Sequence, residues 1–414
     1  MRRGAQLAGL AAASMVLPLA ACGGESATEE PLEFWNLLSG DDGAFMQQIV
    51  EDYNATDPEI PVSFQPAPRD DMYMRMYSAA RAGSDIPDVV LVHNLVIAEL
   101  ASNEILTPVE PLMEQEPELQ EDNYLEAAWE AGQYDGAQWG VPLDLHGLIT
   151  FYNDELLEEL DLEHILDDDL ITVDELLELE GQLPEDVYAV TAYFAPQLVY
   201  NWQYNVGDGV GESAEDIDFS SDTYVEALEA VHALQEAGLM APEDSDAAQM
   251  FRSGRSLFHP SGTWEISGHD DVEGFSWDLA HSVQLDAENP VNHFESHSFV
   301  QMNDEDRDPV RDEAVADFLE FVRTNSLGWA EAGQIVASTD TYHSEAYQEH
   351  PQAYFTEPEN ESLLVTDNAE FAPYVGEAIW DETQNMTFGR YSLETTVQRM
   401  NSTTHAQIEM VEAP

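Results

Sequence analysis

Apolar and polar positions along this chain follow two periods. PLEFWNL (31–37) and IPVSFQP (60–66) read as strands, the second with Val62 and Phe64 on one face. Between them, GAFMQQIVEDYNAT places Phe45, Met46, Ile49, Val50 and Tyr53 on one helical stripe. MYMRMYSAARAG predicts a helix that ends at Gly83. DVVLVH (88–93) is continuously apolar, as in a strand buried on both faces of a sheet. Further along, Tyr224, Leu228, Val231 and Leu234 form another helical stripe that closes at Gly238. Asp308 and Pro309 open a later helix as cap and first-turn proline, with Val315, Phe318, Leu319 and Val322 on its buried face. Strands separated by amphipathic helices predict an α/β architecture with mostly parallel sheets. There is no long repeat, and no Pro/Gly/Ser-rich linker divides the chain.

Length and charge sharpen this picture. With 414 residues, 43% of them hydrophobic, the chain has material for two or three domains. Eighty-four acidic residues face 12 basic ones, a formal net charge of −72, and every basic residue is an arginine. Such a surface repels nucleic acid and anionic lipid headgroups. It also repels itself in dilute salt, a strain that high ionic strength relieves by shortening the Debye length. The composition therefore reads as adaptation to a saline habitat. Eight tryptophans, sixteen tyrosines and sixteen phenylalanines argue for a folded chain over a disordered one.

The N-terminus carries its own signal. MRRG is a short basic region, and AQLAGLAAASMVLPLA is an apolar run too brief to remain as a span. LAAC (19–22) then resembles the bacterial lipobox, which implies cleavage before Cys22 and lipidation of that cysteine. Cys22 is the only cysteine, so no intramolecular disulfide can form. Residues 1–21 are thus expected to be a lipoprotein signal peptide. Residues 22–31, GGESATEEP among them, are expected to form a flexible tether.

Six stretches, in order, resemble one family. LEFWNLLSGDDGAFMQQIVEDYNATDPEIPVSF resembles the opening strand–helix–strand of the maltose-binding-like bacterial extracellular solute-binding proteins, family 1. IPDVVLVHNLVIAELASNEILTPVEPL, YDGAQWGVPLDLHGLITFYNDELLEELDL and MFRSGRSLFHPSGTWEISG are similar to the segments that follow in those proteins. AVADFLEFVRTNSLGWAEAGQIVAST and FGRYSLETTVQRMNSTTHAQI are similar to the late helix and the C-terminal helix, so the likeness spans about residues 31–411. The lysines of several family motifs are absent here. The resemblance implies a type II periplasmic-binding-protein fold, in which two α/β lobes joined by crossover hinge strands close on a ligand. It places an N-lobe at about 32–143 plus 297–338 and a C-lobe at about 148–296 plus 339–414.

A neutral sugar needs flat rings to stack on and polar side chains to take paired hydroxyl bonds. In the resemblance Trp264 stands where the family places a cleft tryptophan, although a tryptophan is on average highly buried. Tyr193 matches a loop aromatic that lines the cleft, and Trp202 is either a second wall residue or helix core. Asp41 follows the first strand and is a candidate hydroxyl acceptor, whereas Asp42 is expected to cap the helix. His93 and Asn94 end the buried strand, Asp144 and His146 lie on the first crossover, and His297 lies on the second. Each histidine is either a ligand contact or a hydrogen-bonded hinge residue. Glu265, beside Trp264, is expected at most at the rim.

Other chemistries find less support. The sequence holds no G-x-S-x-G, H-E-x-x-H, P-loop or full EF-hand loop, and GDGVG (207–211) reads as a turn. Among 84 acids a glycosidase-like carboxylate pair carries no signal. His93, His146 and His297 have no metal-ligand spacing, so no metal and no cofactor are expected. The reading is a monomeric, lipid-anchored solute-binding protein of an ABC importer, not an enzyme. It takes a sugar or oligosaccharide on the extracellular face of the cytoplasmic membrane and passes it to the permease subunits. It touches the membrane only through its anchor and binds no nucleic acid. An osmolyte in the same fold, or an extracellular glycan hydrolase or adhesin, are the alternatives.

Overall fold

In the computed structural model, the placement of residues 30–411 is described apart from 39–40, 168–169, 208, 212, 243–245, 271–275, 305 and 368. The leader, Cys22 and most of the tether therefore lie outside the described residues.

The first strand, β1 (Leu32–Asn36), pairs parallel with β2 (Val62–Pro66) and β3 (Val89–His93). Between β1 and β2 runs the helix Asp41–Ala55, which buries Met46, Ile49, Val50 and Tyr53. It starts earlier than the apolar stripe indicates, so Asp42 lies inside its first turn instead of capping it. The helix Arg69–Ala82 follows β2 and stops at Gly83, whose φ of 59° is a left-handed cap that a side chain would strain. β4 (Leu106–Thr107) and a hairpin of β5 (Gln133–Tyr134) with β6 (Ala137–Gln138) lead to β7 (Gly140–Pro142).

At Leu143 the chain leaves this sheet and enters a second one along β8 (Asp144–Asn153), a ten-residue strand buried at every position but Tyr152. Around β8 stand β9 (Tyr188–Val190), β10 (Ser256–Gly262), β11 (Trp277–Ala280) and β12 (Asn292–Glu295). At Ser296 the chain returns to the first sheet as β13 (His297–Met302). It comes back once more, through β14 (Ile335–Val336) beside β8 and β15 (Leu364–Val365) beside β12. The sheet orders are β2-β1-β3-β13-β4, with β7 also on β13, and β15-β12-β8-β10-β9, with β11 and β14 also on β8.

The fold is α/β, but both sheets are mixed, not mostly parallel. Helical crossovers keep β1, β2 and β3 parallel, as well as β9 with β10. The strands that cross between sheets run against their neighbours: β13 against β3, β4 and β7, and β8 against β10, β11, β12 and β14. Two apolar cores accompany the sheets. One gathers Phe34, Val90, Phe299 and Phe318, the other Val190, Leu198, Leu228, Phe258 and Val375. β8 serves both, giving Leu145, Ile149 and Phe151 to the first and Leu148 to the second. The described residues from 31 onward form one compact unit.

The late helix Pro309–Thr324 is capped by Asp308, whose carboxylate accepts from the Val310 amide, and it buries Val315, Phe318, Leu319 and Val322. Arg311 grips Asp88 with two 2.6 Å bonds and so ties this helix to β3. No helix among the described residues is long and apolar enough to cross a membrane.

Candidate functional site

Four of the candidate residues, His93, Asp144, His146 and His297, lie where the chain passes between the sheets. Asp144 and His146 share one face of β8, two residues apart. His297 opens β13, and the β3–β13 register sets it directly opposite His93. The imidazoles of His146 and His297 stack at 4.0 Å and 18°, and His93 lies 4.9 Å from His297.

Asp144 organises this group. Its fully buried carboxylate accepts from Nδ1 of His146 at 3.1 Å, and from Nδ1 and the amide of His297, both at 2.9 Å. The indole N–H of Trp329 donates to it at 2.7 Å. Burial alone would raise the Asp144 pKa, but the two histidines outweigh it and hold the carboxyl well below its usual range. Asp144 was expected to face a ligand. All its acceptor capacity is turned inward instead, and it positions the histidines. Tyr73, on the helix Arg69–Ala82, places its hydroxyl 3.0 Å from Nδ1 of His93.

Beside the histidines runs a line of larger rings. Trp264 sits half-buried in the short turn Thr263–Glu265 after β10, 6.2 Å from His146 and 6.0 Å from Phe194. Phe194 meets Tyr193 at 4.8 Å and Trp380 at 6.1 Å, and Tyr193 is 52% exposed. Edge-to-face contacts fix these rings while leaving faces for a further group to stack on. The turn is anchored from behind. Glu265 does not reach the rim: its carboxylate accepts from Nε2 of His259 at 3.0 Å and lies 3.5 Å from Nε2 of His269. Burial opposes ionisation of Glu265, but the bonds to His259 and His269 prevail and keep its pKa far below normal. Nδ1 of His259 in turn meets Thr191 at 2.7 Å, linking the Trp264 turn to the Tyr193 segment.

Of the remaining candidates, Trp202 and Asn94 lie inside the protein. Trp202 is core: it is fully buried on the helix Ala195–Val206, and its N–H donates to the Val283 carbonyl at 2.7 Å. Asn94 is also fully buried, its amide donating to the Asp367 carbonyl and its oxygen accepting from the Ser296 amide, so it joins these segments. Asp41 opens the helix Asp41–Ala55, and its side chain is outside the described ones. Although no sequence spacing joins them, one ring nitrogen from each of His93, His146 and His297 lies within 4.8 Å of the others.

Trp329, Tyr73, Phe194, Trp380 and the His259–Glu265–His269 group went unforeseen. Trp329 lies within the GW of SLGW, a pair like the GTW that drew attention to Trp264. A cavity of about 400 Å³ elsewhere is lined by Leu125, Glu126, Glu130, Leu145, Glu361 and Leu364, among others. None of its lining residues is aromatic, so it offers no surface for stacking a sugar ring.

A family model described as bacterial extracellular solute-binding protein matches residues 48–356. No curated protein sequence matches significantly. Among solved structures, the sugar-binding protein MalE from Xanthomonas citri is 17% identical with a TM-score of 0.76, covering 92% of this chain and 98% of its own. The galacto-N-biose-/lacto-N-biose I-binding protein of the ABC transporter from Bifidobacterium longum, in complex with lacto-N-biose, is 14% identical with a TM-score of 0.76. That match covers 94% of this chain and 99% of the other. UgpB from Mycobacterium tuberculosis, in complex with glycerophosphocholine, is 15% identical with a TM-score of 0.73, covering 92% and 99%. The fold they share is that of type II periplasmic binding proteins.

Proposed function

The chain belongs to the bacterial extracellular solute-binding proteins, and on that footing we propose that it captures a sugar or oligosaccharide for an ABC importer by closing two lobes around it. The lobes are residues 32–143 with 297–338 and 148–296 with 339–414, hinged where the strands cross at Leu143 and Ser296. Solute selects the closed state by its greater affinity for that state. Residues 1–21 are a signal peptide, Cys22 carries the lipid, and the monomer hands its cargo to permease subunits outside the cytoplasmic membrane. Capture involves no bond cleavage, and the acidic surface suits high salt.

The observation that carries this reading is the continuous line of rings from Tyr193 through Phe194 and Trp264 to His146, set at the crossover strands. Rings supply stacking, and the imidazoles supply hydrogen bonds to hydroxyls. Three arginines that an anionic solute could use are engaged elsewhere, Arg311 with Asp88, Arg323 with Glu320 and Asp340, and Arg399 with Glu382, while Arg69 acts on Tyr73 and His93 of the site from an exposed position. The glycerophosphocholine complex of one structural neighbour supports a second reading, an osmolyte whose cationic head sits among the same rings.

Calorimetric titration of the full chain in molar salt, against neutral oligosaccharides and choline- or betaine-type zwitterions, tests the proposal. Saturable binding of a sugar with no shorter product released is the expected result. Binding of a zwitterion alone would replace the sugar reading, and release of shorter saccharides would replace capture with hydrolysis.

A further inference from the structure

His93, His146 and His297 come from three strands separated by many residues, so no sequence spacing joins them. The fold does. Register sets His93 opposite His297, the rings of His146 and His297 lie nearly parallel, and His93 stands 5.6 Å from His146.

The Nδ1 side of each ring is already committed. One buried carboxylate, Asp144, accepts from Nδ1 of both His146 and His297. That fixes both as Nδ1–H tautomers and leaves the Nε2 lone pairs on the ring edges away from Asp144. Trp329 and the His297 amide hold Asp144 in turn. The Tyr73 hydroxyl lies 3.0 Å from Nδ1 of His93 and accepts from the His93 amide, so it holds that ring in place without fixing its tautomer. An imidazole oriented through one nitrogen by a carboxylate, its other nitrogen bare, is the arrangement that metal-ligating histidines use. Glu295, the register partner of His146, brings a further negative charge to 3.9 Å from its Nε2.

We propose that His93, His146 and His297 bind one divalent transition-metal ion of the zinc class, with a further coordination position left to a solvent or solute oxygen. Three imidazoles and no thiolate suit zinc, cobalt or nickel, whereas calcium and magnesium require oxygen ligands. A tetrahedral ion with Zn–N bonds of about 2.0–2.1 Å draws its nitrogens to roughly 3.3 Å apart. The present spread, within 4.8 Å, therefore tightens on binding through movement of the side chains, because β3 and β13 are already paired at His93 and His297. This inference goes beyond solute capture and does not depend on the solute being a sugar.

The test is cobalt(II) titration of the full chain, stripped with chelator, in molar salt with excess magnesium to occupy surface carboxylates. The expected result is an intense visible absorption band of four-coordinate cobalt that saturates at one equivalent and bleaches as zinc displaces it. His93→Gln and His297→Gln should abolish the band, and His343→Gln, at an exposed histidine, should retain it. Melting curves of each variant without metal report whether it folds. Asp144→Asn keeps an acceptor beside the rings and should weaken cobalt binding by about 10–100-fold. Absence of the band in the folded wild-type chain, or its persistence in both His93→Gln and His297→Gln, would overturn the inference. Solute titrations run in chelator stand apart from all of these outcomes.

Discussion

A Cβ atom placed on Gly262 would lie 2.2 Å from Cζ2 and Cη2 of the Trp264 indole. The ring folds back over the backbone of its own turn, and only a glycine leaves it room. The Gly262 φ of −89° is open to any residue, so an added methyl displaces the ring and not the chain. Gly262→Ala should therefore keep the melting temperature near wild type while weakening solute binding nearly as much as loss of the indole. Calorimetry beside a thermal melt checks this, and unchanged affinity would mean that the ring's position is irrelevant to binding.

Asp144 predicts a stability effect. Its removal leaves two imidazole N–H groups, an indole N–H and a backbone amide without their buried acceptor. At about 1–3 kcal/mol for each orphaned donor, partly relieved by water, Asp144→Ala should cost about 3 kcal/mol or more. Denaturant unfolding in molar salt measures it, and a loss below about 1 kcal/mol would show that the network does not hold the crossover strands.

Acid should weaken the fold in two stages. Burial lowers the pKa of His269 and His293, so the folded state favours their neutral forms. Their contribution is present above the ordinary histidine pKa of about 6.5 and is lost as pH falls from there toward the folded values. Glu265, depressed despite its burial by His259 and His269, contributes above the ordinary carboxylate range and loses that contribution as pH falls further. In molar salt, where surface repulsion is screened, the melting temperature should fall from pH 7 to 5.5 and again below about 4.5. A flat profile between pH 7 and 5.5 would contradict the first stage.

Salt should act in the opposite sense to its usual effect on ion-paired surfaces. With a net charge of −72 and few cations to pair, repulsion dominates the exterior. Shortening the Debye length from about 10 Å at 0.1 M to about 3 Å at 1 M should raise the melting temperature. Scanning calorimetry across sodium chloride concentrations decides this, with maximal stability in dilute buffer as the opposing result.

The elements were legible where one pattern decides them. Met46, Ile49, Val50 and Tyr53 line one helix face, and Val89–Val92 is a strand with no exposed side, so periodicity alone finds both. Parity along VPLDLHG also puts Asp144 and His146 on one face. Nothing local shows that Asp144 serves His297 across 153 residues, or that His93 faces His297, because both depend on the register of a strand arriving from the other sheet. The antiparallel course of β8 and β13 was hidden for the same reason. For Trp202 the sequence left two readings open, and Leu198, four residues before it on the same helix, favours the core stripe that the fold shows. Asn94 gave none, since a buried asparagine that bridges backbone segments looks the same in sequence as one that meets a ligand.

The decisive comparison is between wild-type chain and Trp264→Ala, titrated calorimetrically in molar salt with whichever oligosaccharide the wild type binds. The half-buried indole makes its contacts at the edge of the core, so the variant should melt within a few degrees of wild type. Its dissociation constant should rise by about tenfold or more, equivalent to roughly 1.4 kcal/mol upward. Equal affinity in a folded variant would contradict the assignment of Trp264 as the surface on which the sugar rests.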